Sequence, residues 1–297
     1  MTTISVCICT FRRPDYLKRL LEGMGRQHTE GLFNYEIVVA DNDRSQSAKS
    51  VCDAMAPTMP VKIIYCVEPE QNIARARNRA LQHATGDYIA FFDDDQFPID
   101  DWLLILYKTC NAHNVDGVLG PVKPHYEQPP PSWVVKGKFY DRPDYKTGFV
   151  IDWRKGRTGN VLLRKRVFEG MVEVFRPEFL TGEDQDFFRR AIENGYEFIW
   201  CSEAIAYETV PPLRWKRSFM LRRALLRGKV SIRHRGVKGI SVAKSIIAVP
   251  LYSVSLPFAL LFGQHIFMKH LVSLCDHAGR LSACVGIDLV KESYVTQ

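Results

Sequence analysis

Four short runs, "ISVCICT", "YEIVVAD", "VKIIYCVE" and "DYIAFFD", are apolar at most positions instead of at every second one. This narrows the possible folds more than any other feature, because a strand apolar on both faces must be covered on both faces. Helical patterns separate the runs: Leu17, Leu20, Leu21 and Met24 recur at helical spacing, and "IARARNRALQHA" follows the third run. The alternation predicts an α/β fold, a mostly parallel, Rossmann-like sheet with helices on both faces. Such sheets gather ligands at the carboxyl ends of their strands. Asp41 and the triplet Asp93, Asp94 and Asp95 each end a run and so belong on that edge.

A chain of 297 residues with 46% hydrophobic content buries a full core, as one large domain or a domain with an appendage. The eight cysteines include no C-x-x-C pair and several sit in apolar runs, as reduced core thiols do. The start, "MTTISVCICTFRRP", lacks the basic and apolar regions of a secretory leader, so the body is expected to stay inside the cell. Charge is divided unevenly. The net value is +7, yet no acid stands between Glu208 and Asp276 while twelve Lys and Arg do, so an acidic body carries a basic tail segment.

In "YIAFFDDDQFP", residues 88–98, the most hydrophobic run ends in three aspartates. Bringing carboxylates this close costs about 1 kcal/mol per pair near a solvated surface. A solvated acidic turn is the plain explanation. The sharper one is a magnesium or manganese ion with a diphosphate, since hard divalent ions choose carboxylate oxygens and complete their shells from phosphate and water. A second acidic group lies in "TGEDQDFF". Thr181 and Asp184 fit a capping box, but Glu183, Asp184 and Asp186 exceed what a cap requires, and a carboxylate facing a cleft serves as a general base. In "NIARARNRAL", Arg75 and Arg79 form one helix face, and Arg77, offset from both, turns towards the ligand edge. No glycine-rich phosphate loop is present, which leaves the phosphates to a metal.

The ordered pieces "VCICTFRRPDYL", "VVADND", "NIARARN", "FFDDDQFP", "TGN" and "GEDQDF", from Ile4 to about Arg223, resemble glycosyltransferase family 2, the inverting GT-A-fold enzymes, in the style of bacterial exopolysaccharide and surface-glycan transferases similar to those of succinoglycan biosynthesis. The resemblance implies a nucleotide sugar, with UDP the expected nucleotide, as donor and a lipid-linked saccharide as acceptor. It places Thr10, Arg12, Asp41, Arg77, Asp93 and Asp94 at the nucleotide, with Asp41 on the uracil. Asp95 is the implied metal ligand, joined by Asp93, for Mn2+ or Mg2+. Asp184 is the implied catalytic base and Glu183 its neighbour, with Asn160 and Trp133, the latter in the proline-rich loop "KPHYEQPPPSW", lining the acceptor or sugar pocket. Residues 1–212 form the implied catalytic domain, 1–114 its nucleotide-binding half and 115–212 its acceptor half. "VPPLRW" matches the Q-x-x-R-W motif of processive synthases only in part, because Pro211 replaces the glutamine, which argues against a polymerising synthase. A metal-dependent nucleotidyltransferase and a non-catalytic sugar-nucleotide-binding protein stay open as alternatives.

Residues 213–297 read as a basic, apolar helical appendage. Cations interleave with apolar residues from Arg214 to Gly239, and 24 uncharged residues follow, Ser245 to Met268. That run is long enough to cross a bilayer, while Pro250, Pro257 and Gly263 disfavour a plain spanning helix and suit a surface-lying or re-entrant segment. No nucleic-acid-binding module accompanies the charge. The expected partner is an anionic membrane surface at the cytoplasmic face, where lipid-linked acceptors sit.

Overall fold

The computed structural model describes residues 1–179, 182–232 and 238–290, which form two compact units. The first comprises Met1–His125 and Arg142–Thr209, the second Tyr126–Asp141 and Val210–Gln297. Residues 126–141, placed by sequence within the acceptor half, thus group with the C-terminal segment.

The first unit begins with β1 (Thr2–Thr10), α1 (Pro14–Met24), β2 (Phe33–Asp41), α2 (Lys49–Met55), β3 (Ile63–Val67), α3 (Ile73–His83) and β4 (Tyr88–Asp93). The four strands pair in parallel in the order β3-β2-β1-β4. After β5 (Gln96–Pro98) and α4 (Trp102–Ala112) come β6 (Gly117–Leu119) and β7 (Val122–His125). The second unit contributes α5 (Ser132–Gly137), and the chain returns with β8 (Asn160–Arg164), α6 (Glu183–Glu193), β9 (Phe198–Trp200) and β10 (Ala206–Thr209). Strand β8 lies antiparallel between β4 and β6, and β9 adds parallel to β6, completing a seven-stranded sheet. A second sheet has the order β5-β10-β7.

Burial on both faces follows from the pattern of β1. Ile4, Val6 and Ile8 enter one apolar cluster with Leu17, Leu20 and Trp102, while Cys7 enters the other with Val38, Phe91 and Phe187. Each large side chain so buried contributes about 1.5–3 kcal/mol, and the strands stay together through that double cover. The stretch "YEFIWCSEAIAYE", which reads as one strand, is two. Cys201 N donates to Leu119 O and Ala206 N to Pro121 O, so the chain leaves the large sheet after β9 and joins the small one as β10.

At the entrance to β4 a buried polar knot fixes the strand that delivers the aspartates. Glu36 Oε1 accepts from Ser5 Oγ at 2.7 Å, Thr85 N at 3.0 Å and Thr85 Oγ1 at 2.8 Å, and Ser5 Oγ accepts from Gly86 N at 2.9 Å.

In the second unit α7 (Arg217–Val230), α8 (Lys238–Ala259) and α9 (Gln264–Cys284) pack together. Helices α7 and α9 approach through glycine: a Cβ on Gly228 would lie 1.9 Å from Asp276 O, and one on Gly279 2.2 Å from Leu225 O.

Burial opposes the Glu36 charge, but the bonds from Ser5 and Thr85 outweigh it and hold the carboxyl below its ordinary range. Its stabilisation is therefore present above the unfolded-chain value near pH 4.3 and lost as pH falls through the lower folded value. Glu36→Gln is expected to lose about 1–2 kcal/mol at pH 7. Thermal unfolding across pH checks this: the gap between variant and parent should close below about pH 4, and a gap independent of pH would refute the ionised knot.

Candidate active site

Three strands end together at the carboxyl edge of the large sheet. Thr10 of β1 pairs with Asp41 of β2, and Cys9 pairs with Asp93 of β4. From there Thr10 Oγ1 donates to Asp94 Oδ2 at 2.8 Å. Arg13 donates to Asp94 Oδ1 at 2.9 Å and lies 3.4 Å from Asp95 Oδ2. Its neighbour turns the other way: Arg12 adopts a left-handed φ of 53° and donates to Asp43 Oδ2 at 3.0 Å, its side chain 57% exposed. Sequence reasoning chose Arg12, whereas Arg13 is the arginine that meets the triplet. Pro14 opens α1 but does not distinguish the two.

Arg77 comes from α3 and is buried between two acidic groups. Its guanidinium is paired with Glu183 Oε1 and lies 3.7 Å from Asp93 Oδ1, over the Phe175 ring. Burial opposes its charge, but Glu183 and Asp93 overcome that and raise its pKa. Arg77 therefore joins the triplet to the start of α6, acidic stretches ninety residues apart in sequence. Burial raises the Glu183 carboxyl, Arg77 lowers it and Asp184 raises it again, leaving it above the usual carboxylate range. Asp184 is half-buried, and its Oδ1 accepts from Gln185 N at 2.8 Å. Asp186 is a structural acid, bonded to Arg189 at 2.9 Å and Arg190 at 2.8 Å. Gly182 occupies the cap position of α6, and Thr181 of the expected capping box lies outside the described residues.

Three further expected site residues make structural contacts. Asp41 is fully buried and accepts from Ala48 N at 2.8 Å, Tyr65 Oη at 2.9 Å and Asp43 N at 3.1 Å, which pins the loop after β2. Asn160 is a buried tie. Its amide donates to Pro121 O at 2.9 Å and Ala204 O at 2.8 Å, and its oxygen accepts from Trp102 Nε1 at 2.7 Å. Trp133 lies on α5 in the second unit, edge-on to Phe139.

The "TGN" motif acts through its glycine. A Cβ at Gly159 would stand 2.4 Å from Asp93 Oδ2 and 2.9 Å from Gln96 Nε2, so only glycine leaves that carboxylate in place. Gln96 Nε2 donates to Asp93 Oδ2 at 3.3 Å, and Arg142 pairs with Glu208 of β10. Both were missed, because the sequence does not reveal that β10 pairs with β5 beside the triplet.

The donor chemistry suits a divalent cation. Asp93 remains 42% exposed, yet the surrounding protein pushes its carboxyl up to about 6, Arg77 opposing and Asp95 adding. Burial raises Asp94 too, against Arg13. Arg13 and Arg77 are each shared between two carboxylates. Among the described residues no group of three His, Cys, Asp or Glu side chains forms a metal cage. With only Asp93 and Asp95 as protein ligands, a divalent ion here would have to complete its shell from phosphate and water, as magnesium commonly does.

Known proteins share both the sequence pattern and the fold. Residues 5–169 match the family model for glycosyl transferase family 2. The succinoglycan biosynthesis protein ExoM of Rhizobium meliloti (strain 1021) is 33% identical over 229 residues, 76% of this chain and 73% of that protein. The chain belongs to glycosyl transferase family 2. Glycosyltransferase AglE of Haloferax volcanii is 25% identical over 211 residues, 70% of this chain and 67% of AglE. The fold is that of S. aureus TarS: residues 1–349 of TarS, solved with UDP, superpose with a TM-score of 0.55 at 17% identity, covering 95% of this chain and 90% of that one. A longer TarS chain gives 0.56 at 16% identity and is covered to 55% of its length. The α/β arrangement is thus GT-A-like, and the protein is a glycosyltransferase of the kind used in glycan biosynthesis.

Gly159→Ala tests the geometry around Asp93. The added methyl must move a carboxylate that Arg77 and Gln96 hold, so UDP affinity measured calorimetrically with Mn2+ should fall about tenfold, roughly 1.4 kcal/mol. Unchanged affinity in a folded variant would remove Asp93 from the donor site.

Proposed function

We propose that the protein transfers a sugar from a UDP-sugar, with inversion, onto a lipid-linked saccharide at the cytoplasmic membrane face. The observation that carries this reading is the joining of two acidic groups by Arg77: Asp93, on the sheet edge, and Glu183, beside Asp184 on α6. ExoM's role in succinoglycan biosynthesis supports the choice of pathway class. The TarS fragments solved with UDP and with UDP-GlcNAc support the choice of donor.

In this reading the two carboxylates of "GED" divide the work. Glu183 is committed to Arg77 and keeps that guanidinium aimed at Asp93. Asp184, half-buried and without a guanidinium bond among those described, accepts the proton of the acceptor hydroxyl as that oxygen attacks the anomeric carbon opposite the nucleotide. A single displacement inverts the donor's configuration. Asp95 and Asp93 would hold a divalent ion, which would supply Lewis-acid stabilisation of the departing diphosphate. Arg77 and Arg13 place guanidinium charge on the same side as the leaving group, where charge develops in the transition state.

Two measurements test the assignment. UDP binding should be lost in chelator and weakened by Asp95→Asn, and full affinity in chelator would overturn the metal requirement. Asp184→Asn should keep UDP affinity while transfer falls by about 10²-fold or more, the range of a lost general base. Joint loss of binding and turnover would make Asp184 a donor-site residue. Undiminished turnover would exclude it as the base.

A further inference from the structure

Helix α8, continued by the 3-10 turn Leu260–Phe262, meets the requirements of length and composition for crossing a bilayer: the most apolar stretch within Ser241–Phe262 has a mean hydropathy of 1.9 and only 11% of it is buried. Its outward stripe is apolar, with Ile247, Leu251, Val254, Phe258 and Leu261 each more than 60% exposed at helical spacing. The opposite side is tied down by polar bonds. Ser245 is fully buried, with its Oγ 2.9 Å from His277 Nδ1 and accepting from Arg280 Nη1 at 3.0 Å. Ser255 Oγ lies 2.9 Å from His270 Nδ1. These ties fix the direction of the helices. Ser255 meets His270 close to the turn, and Ser245 meets His277 far from it, so α8 and α9 are an antiparallel hairpin reversed at Gly263, whose φ is 106°.

Helix α9 cannot follow α8 into hydrocarbon. It carries Lys269, Asp276 and Arg280, and Asp276 is paired with Arg227 of α7 at 3.0 Å. The glycine contact of Gly228 and Gly279 clamps α9 to α7, itself a helix with exposed Arg217, Arg222, Arg223 and Arg227. A spanning α8 must either abandon its serine–histidine bonds or draw those charges into the bilayer, and both are strongly unfavourable. Pro250 and Pro257, inside the helix, each lack a backbone N–H donor.

We infer that α8 is a monotopic anchor: it lies in the plane of an anionic lipid surface, immersed along the stripe Ile247–Leu251–Val254–Phe258–Leu261, with α9 and α7 kept on the water side. Lipid is the occupant because the stripe belongs to a strongly cationic segment. Between Val210 and Leu289 the only acids are Asp276 and Asp288 against thirteen Lys and Arg, and anionic headgroups attract such segments. This rests on the membrane-associated reading above and specifies its geometry.

Nitroxide labels report depth at each position. In the full chain with Cys275 and Cys284 changed to serine, single cysteines at Ile247, Leu251, Val254, Phe258 and Leu261 are compared with Val249 and Leu256 on the inner side, on vesicles of phosphatidylglycerol and phosphatidylcholine. The expected result is a shallow, similar depth of about 5–10 Å at all five outer positions, with Val249 and Leu256 out of contact with lipid. Leu251→Glu with Phe258→Glu, both at exposed sites, should lower vesicle affinity at least tenfold without loss of circular dichroism. A depth that rises towards position 251 and falls towards 261, irrespective of side, would mean a spanning helix and overturn the inference alone. Absence of vesicle binding in low salt, with the protein folded, would overturn the membrane reading itself.

Discussion

The carboxylate crowd at the sheet edge is the constraint around which the first unit is arranged. Asp93, Asp94 and Asp95 are successive residues, so the backbone forces them together whatever their repulsion. The fold meets their charge from two directions: Thr10 and Arg13 follow β1, and Arg77 descends from α3. Each guanidinium is shared between two carboxylates, which holds the site together. Burial raises the Asp93 and Asp94 carboxyls, Arg77 and Arg13 oppose it, and Asp95 adds to it. An edge built this way favours whatever brings cations, and the scaffold must supply from elsewhere the stability that the edge withholds.

That stability comes from the doubly covered sheet and from polar ties remote from the chemistry. Trp102 is fully buried and donates to Asn160, which also ties Pro121 and Ala204. Pro121 and Ala204 lie where the chain passes between its two sheets. The Glu36 knot does the same at the opposite end of β4. The aspartate strand is thus fixed at both ends by buried hydrogen bonds, which lose much when one partner is removed. A rigid strand holds Asp93 against Gly159 without room for a methyl group.

Local rules made the strand ends legible. An apolar run that stops at an aspartate places that residue at an edge, and alternation with helices puts all such edges on one side, so Asp41 and the triplet could be located before any coordinates. Direction was not legible. Arg12 and Arg13 are adjacent and chemically identical, and only the left-handed turn at Arg12 decides which one faces the triplet. Asn160 stood in a motif and was read as a contact residue, although its bonding partners come from positions 102, 121 and 204, a convergence that no single-sequence spacing announces. The break at Cys201 was hidden for the same reason: "YEFIWCSEAIAYE" is continuously strand-like, and the change of sheet is written in the partners, Leu119 and Pro121.

Helix α8 carries the same lesson for energetics. Hydropathy averages over all sides of a helix, and by that average α8 is a span. The free energy of insertion depends instead on what each side already holds. One side is bare and apolar; the other is bonded through Ser245 and Ser255 to a helix that bears charge. Serine barely alters a hydropathy sum, yet two serines facing histidines convert the cost of crossing from that of one apolar helix into that of a charged, glycine-clamped bundle. The partner's side chains, more than the helix's own composition, therefore set how deep such a segment can go.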